Sequence, residues 1–273
     1  DFSCTAHGGE HVLMTRRLLL QTLALIELKT QARPQAKPWR AALSITFDDA
    51  RLSQVDTGLA LLQKLDLKAT FYVLTSSVAK RLDGWKELMA QGHEIANHST
   101  SHPCSANHAF SAKNALEDFT IELMEKDLDQ ASVEIERILN VKPISFAYPC
   151  GQKFVGRGEK VRSYVPLVAK RFLTGRGYFD EGMNDPLLCD FAQLNGTGFD
   201  GSTWEQMKAQ IEDAAKQRRW LIFVGHEIGK PARQTTDSEA LLRLADYVKN
   251  PANGIWFDTV ANVAKQLTAA RRV

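Results

Sequence analysis

The chain carries almost no net charge. Its 34 lysines and arginines stand against 32 aspartates and glutamates, +2 in all over 273 residues. A basic field of the kind that nucleic-acid binding uses is therefore missing, and that class is excluded. Long apolar runs are scarce too: past the first thirty residues none is long enough to span a bilayer. Cysteine is sparse. None of the four, Cys4, Cys104, Cys150 and Cys189, stands in a C-x-x-C pair, which leaves a cysteine-based zinc site without support. No internal repeat, low-complexity tract or Gly/Ser linker divides the chain. What is present is an ordinary globular composition, 44% hydrophobic and 24% charged, long enough for one large α/β domain or two small ones.

The first residues read separately. The sequence starts at Asp1 and its first methionine is Met14, followed by two arginines and an apolar run, "MTRRLLLQTLALIEL". The polar, proline-containing "KTQARPQAKPW" comes next. That order resembles a secretory signal peptide, with cleavage after Ala32 or Ala36. "TRRLLL" also resembles a twin-arginine export signal, although Glu27 interrupts the apolar core. The alternative is an amphipathic helix packed on the domain. The expectation is that residues 1–37 comprise non-native upstream sequence plus a leader, that residues 38–273 are the working domain, and that the protein is exported.

From Ala41 onward, short apolar strands alternate with helical patterns. "AALSITF" reads as a buried strand, "TGLALLQKLDL" as a helix and "KATFYVLT" as a strand. "AKRLDGWKELMAQG" is a helix stopped by Gly92, and "HEIANH" is a strand. A long amphipathic stretch from about Phe110 to Leu139 leads to the strand "ISFAYP"; "GEKVRSYVPLVAKR" is helical and runs into "FLTG". After a less regular segment, Ser202 and Glu205 are spaced as a capping box for the helix "STWEQMKAQIEDAAK". The strand "RRWLIFVGH", a helix over about 238–248, the strand "GIWFD" and a final helix complete the chain. This alternation predicts an α/β fold, a single-domain distorted (β/α) barrel with about seven parallel strands.

In such barrels the chemistry sits at the C-terminal ends of the strands. The first strand ends in Asp48-Asp49, the third in "HSTSHP" with His98 and His102, the fourth in "AYPCG", and a late strand in Gly225-His226. Two like charges closing a buried strand are costly if both side chains merely follow the strand's alternation. Two histidines in H-x-x-x-H spacing plus one carboxylate supply two nitrogens and an oxygen, the donor set of a catalytic divalent metal with open positions. The second carboxylate then has a use: it can accept a proton from water at the cation.

"TFDD", "LKATFYV", "GHEIANHSTSHP", "FAYPCG" and "LIFVGH", in this order and spacing, resemble the NodB-homology polysaccharide deacetylases, carbohydrate esterase family four, over essentially Ala41 to Ala269. The resemblance implies that Asp48 is the general base and that Asp49, His98 and His102 bind one divalent ion, zinc first with cobalt or nickel as alternatives. It further implies that the N–H of Cys150, after Pro149, holds the oxyanion, that His226 is the general acid, and that Val224 lines a pocket for the acetyl methyl.

Two departures stand out. The arginine of the family's R-x-P motif, which orients the base, is replaced by Ala147; Arg176, just past the next strand, is a candidate substitute, against a solvated loop arginine. The D-x-x-D-W motif has its nearest counterpart in "DGSTW", making Asp200 and Trp204 secondary candidates, with Asp190 another for the acid's partner. In an exported protein Cys104 and Cys150 could tie the two rim loops by a disulfide, or stay as two buried thiols.

The expected function is metal-dependent deacetylation of a carbohydrate, with N-acetylglucosamine-containing chains as first substrate and O-acetyl xylan second. Hydrolysis of a small cyclic amide or imide is the alternative reaction. A carbohydrate-binding protein with a degenerate site is the alternative class. The expected partner is a carbohydrate substrate, with no nucleic acid and no stable membrane insertion after processing.

Overall fold

The computed structural model describes residues 39–271, so the leader expected within 1–37 lies outside the described residues. The described residues group as one compact unit.

Strand β1 (Ala41–Asp48) is buried along its whole length. Ala41, Leu43, Ile45 and Phe47 join the large core under the flanking helices. Alternation turns Ala42, Ser44, Thr46 and Asp48 to the opposite face. Around β1 lie β2 (Thr70–Val73), β3 (Glu94–Asn97), β4 (Ser145–Ala147), β5 (Thr174–Arg176), β6 (Thr197–Gly198), β7 (Trp220–Gly225) and β8 (Ile255–Phe257). The sheet runs β5-β4-β3-β2-β1-β7-β6, with β8 paired to the start of β1. All of these pairings are parallel. Leu194 pairs with Arg176 of β5, and three residues later Thr197 pairs with Phe223 of β7, so one short segment nearly joins the two ends of the curled sheet. The fold is a distorted (β/α) barrel of seven strands, as the alternation predicts, with β8 beside the path.

Seven helices of seven residues or more lie along the described chain: α1 (Leu59–Leu65), α2 (Leu82–Ala90), α3 (Ile121–Leu139), α4 (Val165–Arg171), α5 (Trp204–Gln217), α6 (Ser238–Lys249) and α7 (Val260–Arg271). No helix among the described residues is long and apolar enough to cross a membrane.

Several boundaries differ from the sequence pattern. The amphipathic stretch is helical only from Ile121, where the Thr120 side chain accepts the N–H of Leu123; before it lie only short 3₁₀ turns. "GEKVRSYVPLVAKR" is helical only from Val165, because Arg162–Ser163 pairs antiparallel with Phe154–Val155. The capping box of α5 lies one residue later than Ser202/Glu205. Thr203 accepts from the N–H of Gln206, and the Gln206 side chain accepts from the N–H of Thr203. Ser202 instead donates its N–H to the carbonyl of Phe199. Thr and Gln satisfy the same spacing, so the pattern alone fits both frames.

Candidate active site

Register brings the rim residues together. Asp48 pairs with Tyr72, Ala147 with Arg176, and Phe47 with Gly225, so His226 follows directly beside the end of β1. The adjacent carboxylates do not continue the strand's alternation, because Asp49 (φ 73°) and Ala50 (φ 52°) adopt the left-handed region. This turn lets Asp49 face the same cleft as Asp48. The cleft has a volume of about 890 Å³, and its walls include Asp48, Asp49, His98, His102, Cys150 and His226.

Asp49 Oδ1 lies 3.5 Å from His98 Nε2 and 3.4 Å from His102 Nε2. Bonds of about 2.1 Å in tetrahedral geometry place ligand atoms about 3.4 Å apart, so these three donors fit one zinc-sized cation. The tautomer fits as well. His98 Nδ1 stands 3.0 Å from the Ala147 carbonyl, to which it donates, leaving the Nε2 lone pair for the centre. Burial, reinforced by the charge of His98, lowers the His102 pKa to about 4 against the pull of Asp49 and Asp48, which keeps that ring neutral. Burial works against ionised Asp49, but the imidazoles beside it, His98 first and then His102 and His226, outweigh it and hold the carboxyl well below its usual range. Arg51 donates to the other oxygen, Oδ2.

The loop carrying both histidines is fixed from behind. Asn97 accepts from Ser99 N–H at 2.6 Å and donates to Leu128 of α3. Asp127 of α3 accepts from Thr100 N–H at 3.0 Å, and Ser99 Oγ accepts from His102 N–H at 2.9 Å. Ser99 and His102 have positive φ, a strained backbone that such contacts over-determine.

Arg176 is not a solvated loop residue. It is fully buried, ion-paired to Asp48 Oδ1 through Nη2, and stacked 4.7 Å over the ring of Tyr72. Its Nη1 donates to the carbonyl of Gly177 at 2.9 Å. Burial opposes the guanidinium charge, but the charge of Asp48 prevails and raises its pKa. Ala147 supplies the room: it is paired with Arg176 across β4–β5 and shares a small buried cluster with Tyr72 and Ala96.

On the opposite wall, His226 Nδ1 donates to Asp200 Oδ2 at 2.7 Å, while Asp200 Oδ1 accepts from His226 N–H and the Thr236 hydroxyl. Burial disfavours the imidazolium, yet the Asp200 hydrogen bond and the charges of Asp48, Asp200 and Asp49 raise the His226 pKa above its ordinary value. Gly225 makes space for this pair, since a Cβ there would stand 2.9 Å from Asp200 Oδ1.

The remaining candidates separate. Cys104 and Cys150 form a disulfide with Cα atoms 5.9 Å apart, and Cys150 has φ 53° beside buried Pro149. Val224 is completely buried against Gly196, behind the cleft wall rather than on it. Trp204 packs on Tyr247, and Asp190 caps the turn Phe191–Gln193. Three contributors escaped the sequence reading. Gln54 donates to both the Asp48 and the His226 carbonyls, at 2.6 and 2.8 Å; Tyr72 carries Arg176; and Tyr178 meets His226 edge-on. The pairing of β1 with β2 is the one signal that would have placed Tyr72 beside Asp48.

Residues 36–164 match the family model for polysaccharide deacetylases. Among curated proteins it is similar to the peptidoglycan-N-acetylglucosamine deacetylase PgdA of Listeria monocytogenes, 38% identical over 77 residues. That stretch is 28% of this chain and 16% of the relative, and the first curated relatives are matched over no more than about a quarter of their length. The fold resembles the peptidoglycan deacetylase PdaC of Bacillus subtilis, with TM-score 0.51 and 19% identity, covering 86% of this chain and 95% of that one. It also resembles the Puue allantoinase, with TM-score 0.63 and 14% identity, covering 86% and 92%.

Proposed function

We propose that the protein is a metal-dependent deacetylase acting on a carbohydrate, with N-acetylglucosamine-containing chains as the first substrate class. The observation that carries this reading is the convergence of Asp49, His98 and His102 within 3.5 Å contacts, with the Arg176-paired Asp48 on one side and His226 on the other. When bound by those three residues, a divalent cation, zinc first with cobalt or nickel as alternatives, would polarise the acetyl carbonyl and acidify water.

The chain's own groups supply the rest. Asp48 accepts a proton as water adds to the carbonyl carbon, and Arg176 fixes the orientation of that carboxylate. The N–H of Cys150, held by the disulfide and the turn after Pro149, supports the developing oxyanion. His226, kept protonated by Asp200, donates to the leaving nitrogen as the C–N bond breaks, releasing acetate and a free amine. A binder would need no base, donor triad and acid in one cleft. The disulfide and the leader-like start of the chain support export.

Acetate release from the acetylated glycans, with ring opening followed for the ureide, distinguishes the readings. Acetylated chito-oligosaccharides, acetyl xylan and a cyclic ureide are each incubated with zinc-loaded protein. Turnover of the amino-sugar substrate supports the proposal. Turnover of the cyclic ureide alone favours the alternative reaction suggested by the allantoinase-like fold, and glycan binding without turnover favours a binding protein.

A further inference from the structure

A second cavity of about 420 Å³ lies beside the cleft. Cys150 lines the cleft, while the next residues, Gly151 and Gln152, line this cavity. Consecutive Cα atoms are about 3.8 Å apart, so the two spaces share a wall built on the Cys104–Cys150 disulfide. The wall is tightly packed: a Cβ on Gly151 would meet the backbone of Tyr178, a cleft residue, at 2.7 Å.

The cavity combines one apolar platform with oriented polar groups. Phe154 is 57% exposed, an unusual placement for a large aromatic, yet its backbone is held in an antiparallel pair with Ser163. Leu116 adds apolar floor. Gln152 uses its amide oxygen to accept from Ser105 N–H at 2.7 Å, which leaves its NH₂ as donor. Glu117 accepts one hydrogen bond on each carboxylate oxygen, from Ser105 and Ala106, and keeps acceptor capacity. Lys153 also lines the space. An apolar ring together with donors and acceptors lining one cavity matches a pyranose, whose ring faces are apolar and whose edges carry hydroxyls.

Building on the deacetylase reading, we propose that this cavity is a subsite for a second sugar of the substrate chain, reached across the disulfide ridge. The substrate is then an oligosaccharide or polymer long enough to occupy both spaces, not a monosaccharide or a small cyclic amide.

The test compares N-acetylglucosamine disaccharide and hexasaccharide as substrates. For the zinc-loaded protein kcat/KM is expected to favour the hexasaccharide at least tenfold. Phe154→Ala and Gln152→Ala should collapse that ratio toward one, mainly through KM for the longer substrate, with an unchanged melting temperature for Phe154→Ala. A ratio that survives both substitutions overturns the subsite. Calorimetric titration of hexasaccharide into metal-free protein reads the subsite without turnover, so failure of the deacetylase reading is separately visible. At least fivefold weaker binding by Phe154→Ala supports the subsite, and equal binding overturns it.

Discussion

At the residue scale the site rests on two buried charge pairs. Arg176 and Asp48 are both inside the protein, so removing one partner leaves the other uncompensated. Arg176→Ala is expected to cost about 3–5 kcal/mol of stability, with Arg176→Lys milder, as melting curves would register. Asp48→Asn, which preserves shape, should lower kcat about 100-fold or more while zinc affinity is retained, because the donors lie on Asp49, His98 and His102. The second pair sets a pH limb. In the proposed mechanism His226 acts as the protonated acid, and its pKa is raised against burial by Asp200. Activity therefore falls as pH rises through that pKa. Asp200→Asn removes the support, so the alkaline limb of kcat should move to lower pH; an unmoved limb would assign the acid to another group. Asp49, His98, His102 and Asp48 were legible because their spacing and strand-end positions carry chemical meaning. Arg176 and Asp200 were legible only as candidates, since their partners lie 128 and 26 residues away and just the strand register joins them.

At the element scale, the strand–helix alternation was readable from apolar periodicity, while starts and stops depended on local hydrogen bonds. The α5 cap illustrates this. Thr203→Ala should destabilise the protein by about 1 kcal/mol with no change in turnover, whereas Ser202→Ala should leave both stability and turnover unchanged. The irregular stretch before α3 was read as helix because its apolar spacing is compatible with one, but its backbone there serves the rim. Ser111 Oγ, for example, bonds both the N–H and the carbonyl of Cys104. The disulfide closes a separation of 46 residues and joins the loops after β3 and β4. Chain-entropy arguments put its contribution at about 4 kcal/mol for a loop of that size. Melting in a thiol reductant should occur well below melting in its absence.

At the scale of the whole molecule, the barrel holds residues from six strand ends against one cleft. The composition and the strand–helix alternation made that architecture legible, because parallel strands must be covered on both faces and each needs a crossover helix. Cleft shape was not legible, since Phe110, Phe179 and Arg233 reach it from irregular loops whose paths carry no periodic signal. The proposed chemistry depends on one cation held where Asp49, His98 and His102 meet. The direct measurement is a zinc titration of chelator-stripped protein, following bound metal and acetate release from an N-acetylglucosamine oligosaccharide in the same samples. Activity absent without zinc, rising with the first equivalent, and lost together with tight zinc binding in Asp49→Ala is the predicted result. Full acetate release from the stripped protein, or tight zinc binding that survives Asp49→Ala and His98→Ala, would contradict it.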